Sequence, residues 1–393
     1  MTGVRDDRFS SPGRERSERG IGEARPAHGI RCGPWPWVIA VVLVAAMLVV
    51  HVLAARYTSA DRLARQLTAA LDGAYVAEMD ATSYSLLRRS FTATGVRLTG
   101  DTAVLAERRW AGSTTRTVYS LSVKSVRLDG IDLGSFLQGR LLARSATIES
   151  LDLDAYLDRK LPAGKLAKPA RLPHQWLQRL GKRIRIDTLR LVTAAIRYAE
   201  RAVDGARPGT ILFDQLSASA YNVTNDFTRA AIPTPSPIQV RGRVAGAPFE
   251  ADLTYDLASP GLNLSYRGSV SNLVGQRLNA TLANLEGIRI RDGRLDSAWF
   301  DVRVKDDLAT GKLQLLYDDL ESETLDKVTH ERGLKDKIKT FIANKLTINE
   351  DNRYGDDEPP MVVTLRRQRP PEMTLFEFIW KTLRDGVFAT VMD

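Results

Sequence analysis

The sequence is poor in the residues that carry most enzyme chemistry. It has one cysteine, Cys32, and four histidines in 393 residues, and aromatic residues make up 7% of the chain. A single cysteine excludes an internal disulfide framework, so any folded domain is held by packing alone. The histidines are scattered, and no pair has the spacing of zinc ligands: His28, His51, His174 and His330.

The short motifs of catalysis are also missing. There is no Gly-x-Ser-x-Gly elbow and no glycine-rich phosphate loop before a Lys-Ser/Thr pair. The acidic pairs Asp306-Asp307, Asp318-Asp319 and Asp356-Asp357 do not follow the spacing of a calcium loop, and they are typical of solvated turns. We therefore predict a protein that is not an enzyme and has no cofactor, metal site or catalytic residue.

The distribution of charge does not favour nucleic-acid binding. Lysine and arginine number 56 against 47 acidic residues, which gives a net charge of +9. Basic residues are not interleaved with aromatic ones, so the excess is more typical of solubility beside anionic lipid than of nucleic-acid binding.

Only one apolar run is long enough to cross a bilayer. It extends from Trp37 to Ala55 without a formal charge, and at about 1.5 Å per residue it spans roughly 30 Å. Arginines before it predict a cytoplasmic N-terminus: Arg5, Arg8, Arg14, Arg16, Arg19, Arg25 and Arg31. We expect a disordered cytoplasmic tail over 1–34, a transmembrane helix over 36–55 and an outer domain over 57–393. An uncleaved anchor is favoured, and cleavage after Ala55 is the alternative.

Most of the outer domain has the period-two alternation of half-buried strands. The alternation predicts strands at 118–128, 146–154, 183–191, 237–246, 251–257, 262–270, 278–285, 294–304, 312–320 and 360–367. In the first three the apolar phase slips by one residue, which predicts bulges. Short connections with turn signals favour an antiparallel meander over a parallel sheet with crossover helices.

Helical patterns lie at the two ends of the domain and within its insertions. Leu63, Leu67 and Leu71 are spaced four apart after Ser59, and Gly73 follows as a stop signal. Short helices are expected near His174 and over about 325–344. An amphipathic C-terminal helix is expected over 374–391, with an apolar stripe that packs on the sheet or docks on a membrane surface: Phe376, Ile379, Trp380, Leu383 and Val387.

An ordered set of segments resembles the AsmA-like superfamily of membrane-anchored envelope proteins. These segments are SVKSVRLDGIDLGSFLQGRLLARSATIESLDLDAYLD at 122–158, RIRIDTLRLVTAAIRYAERAVDGARPGTILFDQLSASAYNVTN at 183–225 and GRLDSAWFDVRVKDDLATGKLQLLYDDL at 293–320. SYSLLRRSFTATGVRL at 83–98 is similar to the family's opening. The chain is short for the superfamily. The resemblance implies a bacterial inner-membrane protein with a periplasmic domain and an apolar sheet face that carries lipid or supports outer-membrane assembly.

The expected fold is therefore mainly β: a transmembrane helix, then a long curled antiparallel sheet, either a groove or an open half-barrel, with a few helices. A curled sheet with one apolar face either fills its hollow with side chains or leaves room for an acyl chain. The candidate lining residues suit both outcomes: Val123, Val126, Ile184, Ile186, Val240, Val244 and Leu315. Two hypotheses follow: a module that binds or transfers membrane lipid, and a filled-core scaffold that binds other envelope proteins.

Overall fold

A computed structural model gives the fold of the part of the chain that follows the predicted span. It describes residues 59–71, 73–110, 117–160, 172–180, 183–202, 207–227, 235–325, 350–354, 359–371 and 373–391. The predicted tail and span, and the helix expected over 325–344 apart from residue 325 itself, lie outside these residues. None of the helices described is long and apolar enough to cross a membrane.

Thirteen strands dominate the described part of the chain and form one sheet that is not closed. They are β1 (Tyr75–Glu78), β2 (Ala81–Ser85), β3 (Ser90–Gly100), β4 (Thr117–Asp129), β5 (Leu141–Asp158), β6 (Ile184–Arg201), β7 (Gly209–Thr224), β8 (Ser236–Val244), β9 (Ala247–Tyr255), β10 (Leu264–Val274), β11 (Ile288–Lys305), β12 (Leu308–Thr324) and β13 (Val362–Gln368). The prediction of a mainly β domain is confirmed.

The strands follow one another in chain order across the sheet, from β3 to β13, with β1 and β2 both paired to β3. Every pairing is antiparallel except β5 with β6, which run parallel from the Leu141–Ile184 pair onward. The prediction of a wholly antiparallel meander is wrong at this junction. The reason is the connection over 159–183. It is long enough to return the chain to the same end of the sheet, as a parallel pair requires, and it carries a short helix, as such crossovers usually do.

The predicted phase slips are present, but the predicted bulges are not found at them. Val123 pairs with Leu151 and Ser125 with Glu149, so β4 and β5 keep one register through the slip, and Ser150 beside them has a left-handed φ of 50°. Val123 and Val126 are both buried, as are Ile186 and Leu189 after the corresponding slip in β6, where the register is also continuous. Neighbouring strands therefore slip together, which keeps the apolar side chains on one face, and we call this the inner face.

Six α-helices accompany the described part of the sheet. They are α1 (Ala60–Ala70), α2 (Thr102–Trp110), α3 (Leu133–Leu137), α4 (Pro173–Gln178), α5 (Asn279–Leu285) and α6 (Leu375–Val391), and a 3-10 turn covers Gly275–Leu278 before α5. The helices predicted after Ser59, near His174 and at the C-terminus are confirmed.

Residues 278–285, predicted as a strand, instead contain the whole of α5, and Leu278 is the last residue of the 3-10 turn. Asn279 holds the start of this helix to β11: its Oδ1 accepts from Ile290 N at 2.8 Å, and its Nδ2 donates to Ile290 O at 2.8 Å. Further along, the Thr281 hydroxyl donates to Thr210 O of β7 at 2.5 Å. Tertiary hydrogen bonds therefore override the alternation of this segment.

The face opposite the inner face is polar. Asp252 on β9 lies 3.7 Å from Arg267 on β10, which stands opposite Asp301 on β11, and Asp301 is paired in turn with Lys312 on β12. Opposite charges on neighbouring strands favour this register. The apolar surface of the sheet is thus concentrated on the inner face.

Candidate functional site

The seven candidate lining residues lie on four strands of the sheet. Val123 and Val126 belong to β4, Ile184 and Ile186 to β6, Val240 and Val244 to β8, and Leu315 to β12. All of these except Val244 are between 0% and 4% exposed and belong to one apolar cluster, whereas Val244 is half-buried at the end of its strand.

The seven residues share a cluster but do not converge on one point. The β4 pair is stacked against β5, where Val126 faces Ile148 and Val123 faces Leu151. Leu315 lies eight strands away from β4 and is paired with Ala298 on β11. The sequence therefore predicted burial, while the arrangement of the residues depends on the order of the strands.

The C-terminal helix α6 lies against the inner face and crosses several strands. The Phe376 ring, near its start, is 5.9 Å from the Tyr198 ring on β6 and 6.2 Å from the Phe213 ring on β7, measured between centroids. Further along, Thr382 lies at the phenol of Tyr266 on β10. Gly386 then packs on leucine side chains of β12 and β13. The order of contacts along the helix thus follows the order of the strands.

These contacts show how far α6 reaches across the inner face. The step of ten residues from Phe376 to Gly386 rises about 15 Å in a helix. The corresponding step from β7 to β12 is five strand spacings, about 24 Å in a flat sheet. The long side chains of Phe376 and Phe213, which meet at 6.2 Å, and any curvature of the sheet toward α6 together bridge this difference.

The most buried stripe of α6 is not the predicted apolar one. It consists of Phe378, Thr382, Gly386 and Thr390 at four-residue spacing. Thr382 and Thr390 satisfy their hydroxyls by donating to the carbonyl oxygens four residues earlier, at 2.7 and 3.0 Å. Of the predicted stripe, Phe376 packs on the sheet, but Val387 is 38% exposed. Small residues face the sheet because the helix backbone approaches it closely.

Charged groups join α6 to its surroundings. Asp385 pairs with Arg367 of β13, and Arg384 lies 3.4 Å from Glu286, the residue after α5. Arg367 Nε, Arg384 Nε and Asp385 Oδ1 are buried, with no hydrogen-bond partner in the part of the chain that the structure describes. The charged attachment of α6 thus includes three buried polar atoms that lack the hydrogen bonds usually made by buried polar groups, as judged among the described residues.

A second buried polar group lies near the first contact of α6. Glu200 on β6 is 8% exposed, accepts from the Tyr198 hydroxyl at 2.7 Å and lies 2.5 Å from Arg159. Burial, followed by the charge of Glu200, raises the pKa of Tyr198 well above its usual value. Tyr198 therefore acts as a hydrogen-bond donor to Glu200 here.

At one end of the strands, α4 is fastened by His174. Its side chain is fully buried, with Nδ1 2.7 Å from the hydroxyl of Tyr255 at the end of β9. Burial lowers the pKa of His174, and nearby Asp307 and Asp256 only partly oppose that effect. A neutral histidine in a buried hydrogen bond holds a helix in place. Over the whole described region, no cluster of three or more histidine, cysteine or acidic residues is arranged to hold a metal ion.

Sequence reasoning missed two features of this site. It did not foresee that Gly386 faces the sheet, although a glycine inside a helical pattern often marks a close approach. It also did not foresee the ion pairs of Arg384 and Asp385, whose partners come from remote segments. Neither a protein-family model nor a curated protein matches the chain. The AsmA-like resemblance therefore stays a prediction.

Proposed function

We propose that the chain is a non-enzymatic, single-pass inner-membrane protein whose periplasmic β domain is a closed-core scaffold in the cell envelope. The observation that carries the proposal is α6, which lies across the inner face between β6 and β13. It occupies the place that an acyl chain would need in an open groove. The near-complete burial of Val123, Val126, Ile184 and Ile186 supports the same conclusion.

In this proposal the polar outer face and the ends of the strands meet other envelope proteins, and the anchor keeps the domain at the membrane. The N-terminus is cytoplasmic and residues 57–393 are periplasmic. The support for this topology is the arginine-rich segment before the apolar run Trp37 to Ala55.

Lipid binding is the second candidate, and a specific observation favours it. The contacts of α6 combine an apolar sheet surface with buried charged atoms that have no hydrogen-bond partner among the described residues. Such an attachment costs less to break than a fully satisfied one. If α6 left its place, Phe213, Tyr266 and Leu313 would offer an apolar surface suited to membrane lipid.

Mass spectrometry of lipids extracted from the purified full chain distinguishes the candidates. The scaffold proposal predicts no phospholipid in a fixed ratio to protein after exchange into lipid-free detergent. Retention of about one lipid molecule per chain would refute the scaffold proposal and support the lipid-binding candidate. A control single-pass protein with an unrelated soluble domain sets the background of annular lipid.

A further inference from the structure

The most exposed large apolar side chain in the described part of the chain, Leu87, lies at the tip of one hairpin. The turn between β2 and β3 consists of Leu86, Leu87, Arg88 and Arg89, and we call it the β2–β3 tip. Leu87 is 96% exposed and Leu86 is 60% exposed. Isolated exposed leucines are ordinary, but two adjacent ones at the end of a projecting hairpin cost solubility without contributing to the core.

The tip is an ordered turn. The Ser85 hydroxyl accepts from Arg88 N at 3.2 Å, and Arg89 N donates to Leu86 O at 3.3 Å. Arg89 O in turn accepts from Ile131 N at 2.9 Å, which places the start of α3 beside the tip. The two leucines are therefore held outward by the backbone.

Basic and apolar side chains share this end of the sheet. Arg88 and Arg89 are exposed in the tip, and α3 adds Leu137, which is 83% exposed, with Arg140 close behind it. Two carboxylates lie beside them: Asp132 accepts a hydrogen bond from Ser135 N at 2.6 Å as the cap of α3, and Asp129 at the end of β4 lies 2.8 Å from Arg127. Leucines surrounded by arginines match the interface of a bilayer with anionic headgroups, where apolar side chains enter the acyl boundary and cations meet phosphate.

The direction of α1 places the membrane on the same side. Near the end of α1, the Thr68 hydroxyl accepts from Ala77 N of β1 at 2.9 Å, and after the turn Ala74 N donates to Leu71 O at 3.1 Å. The helix is thus antiparallel to β1. Strands β1 and β2 run toward the tip. Because α1 runs in the opposite direction, its first residues are the ones closest to the tip.

The described chain therefore begins partway toward the tip: Ser59 is nine residues before Thr68, about 14 Å in a helix, whereas the tip lies about 26 Å along β3 from the level of Ala77. Ser59, its first residue, follows the predicted membrane span by only four residues. At no more than about 3.6 Å per residue, so short a connection keeps the start of α1 near the bilayer.

We infer that the β2–β3 tip, together with Leu137, docks onto the bilayer that holds the anchor and sets the strands upright on a surface carrying anionic headgroups. This inference rests on the proposed function for the anchor itself. Two attachments, the span and the tip, would fix the orientation of the sheet, which a single attachment cannot do.

The test uses the full chain with Cys32→Ser and a single new cysteine, either Leu87→Cys or Arg207→Cys. Arg207 is exposed just before β7, at the opposite end of the strands. Each protein is labelled with an environment-sensitive fluorophore and reconstituted in phosphatidylcholine vesicles containing a minor fraction of phosphatidylglycerol. Spin-labelled lipid then quenches any fluorophore that reaches the interface, and flotation reports whether the anchor has inserted.

We expect a blue-shifted, quenched label at position 87 and an unquenched label at position 207. In the Leu87→Cys background, Arg88→Ser with Arg89→Asn should lower the ratio of docked to free tip roughly fivefold per arginine. Asparagine tolerates the left-handed φ of 50° at position 89.

Flotation without quenching at position 87 would overturn the docking and leave the anchor intact. That is also the result expected of a tip that binds protein. Equal quenching at both positions would overturn it as well, because the sheet would then lie flat or be unfolded. A chain that does not float would overturn both the anchor and the docking.

Discussion

Gly386 of α6 faces Leu313 of β12 so closely that a Cβ on the glycine would lie 2.7 Å from Leu313 Cδ2. The Leu365 side chain of β13 lies on the same spot. This contact holds the C-terminal half of the helix against the sheet. A helical glycine costs up to about 1 kcal/mol relative to alanine, so its presence is explained by the close approach.

Replacing this glycine by a large residue should release α6. We expect Gly386→Leu to destabilise the domain by about 1–3 kcal/mol through overpacking and to open the helix to proteolysis. Val387→Leu, at the neighbouring exposed position, is the matched control and should behave as wild type. Thermal unfolding and limited proteolysis measure both effects, and an unchanged melting temperature in Gly386→Leu would show that α6 is not packed here.

Acid should weaken the attachment of α4. The pKa of His174 is lowered in the folded protein by burial. The unfolded chain, with its ordinary value near 6.5, therefore binds protons at a higher pH than the fold does. The contribution of His174 is thus fully present above about pH 6.5 and is lost as the pH falls toward the lower folded pKa.

Melting temperatures from neutral to mildly acidic pH check this expectation. Wild type should lose stability on acidification, and His174→Gln should be less stable at neutral pH but should show a flatter dependence. Tyr255→Phe keeps the titrating ring and removes its 2.7 Å partner, so it should retain a slope. Equal slopes in wild type and His174→Gln would refute a role for this histidine.

The proposed topology rests on the charges before the apolar run. A reporter that is active only in the periplasm, fused after Asp393, should be active, because the arginines before Trp37 favour a cytoplasmic N-terminus. A matched fusion within the first 34 residues should be inactive with the same reporter. The reverse pattern would contradict the orientation on which the envelope proposal depends.

The sequence predicted the strands well because period-two alternation reflects burial directly. The alternation predicts that Val123, Val126 and Ile186 lie on the buried face, and it also predicts the phase slips after Val123 and Ile186. The prediction from sequence failed where contacts between distant segments determine the structure. Residues 279–285 alternate like a strand but form a helix held through Asn279 and Thr281, and the parallel β5–β6 pair depends on the path of a connection.

The candidate site shows the same division. The presence of a C-terminal amphipathic helix could be predicted from Phe376 and its neighbours. The face that it turns to the sheet could not, because a stripe of Phe378, Thr382, Gly386 and Thr390 has weak hydrophobic contrast. The role of this stripe is recognised only from the structure, in which leucines of β12 and β13 lie opposite Gly386.

The most direct test of the closed inner face is the unfolding of Ile186→Asp beside two variants. Ile186 is fully buried on β6, so an unpaired carboxylate there should cost several kilocalories per mole, comparable with the total stability of a domain. Val244→Asp, at a half-buried strand end, should be milder, and Arg190→Asp, at an exposed position on β6, should lie within about 0.5 kcal/mol of wild type. We expect Ile186→Asp alone to fail to fold. An Ile186→Asp protein that melts like wild type and loses only the uptake of a fluorescent lipid would contradict it.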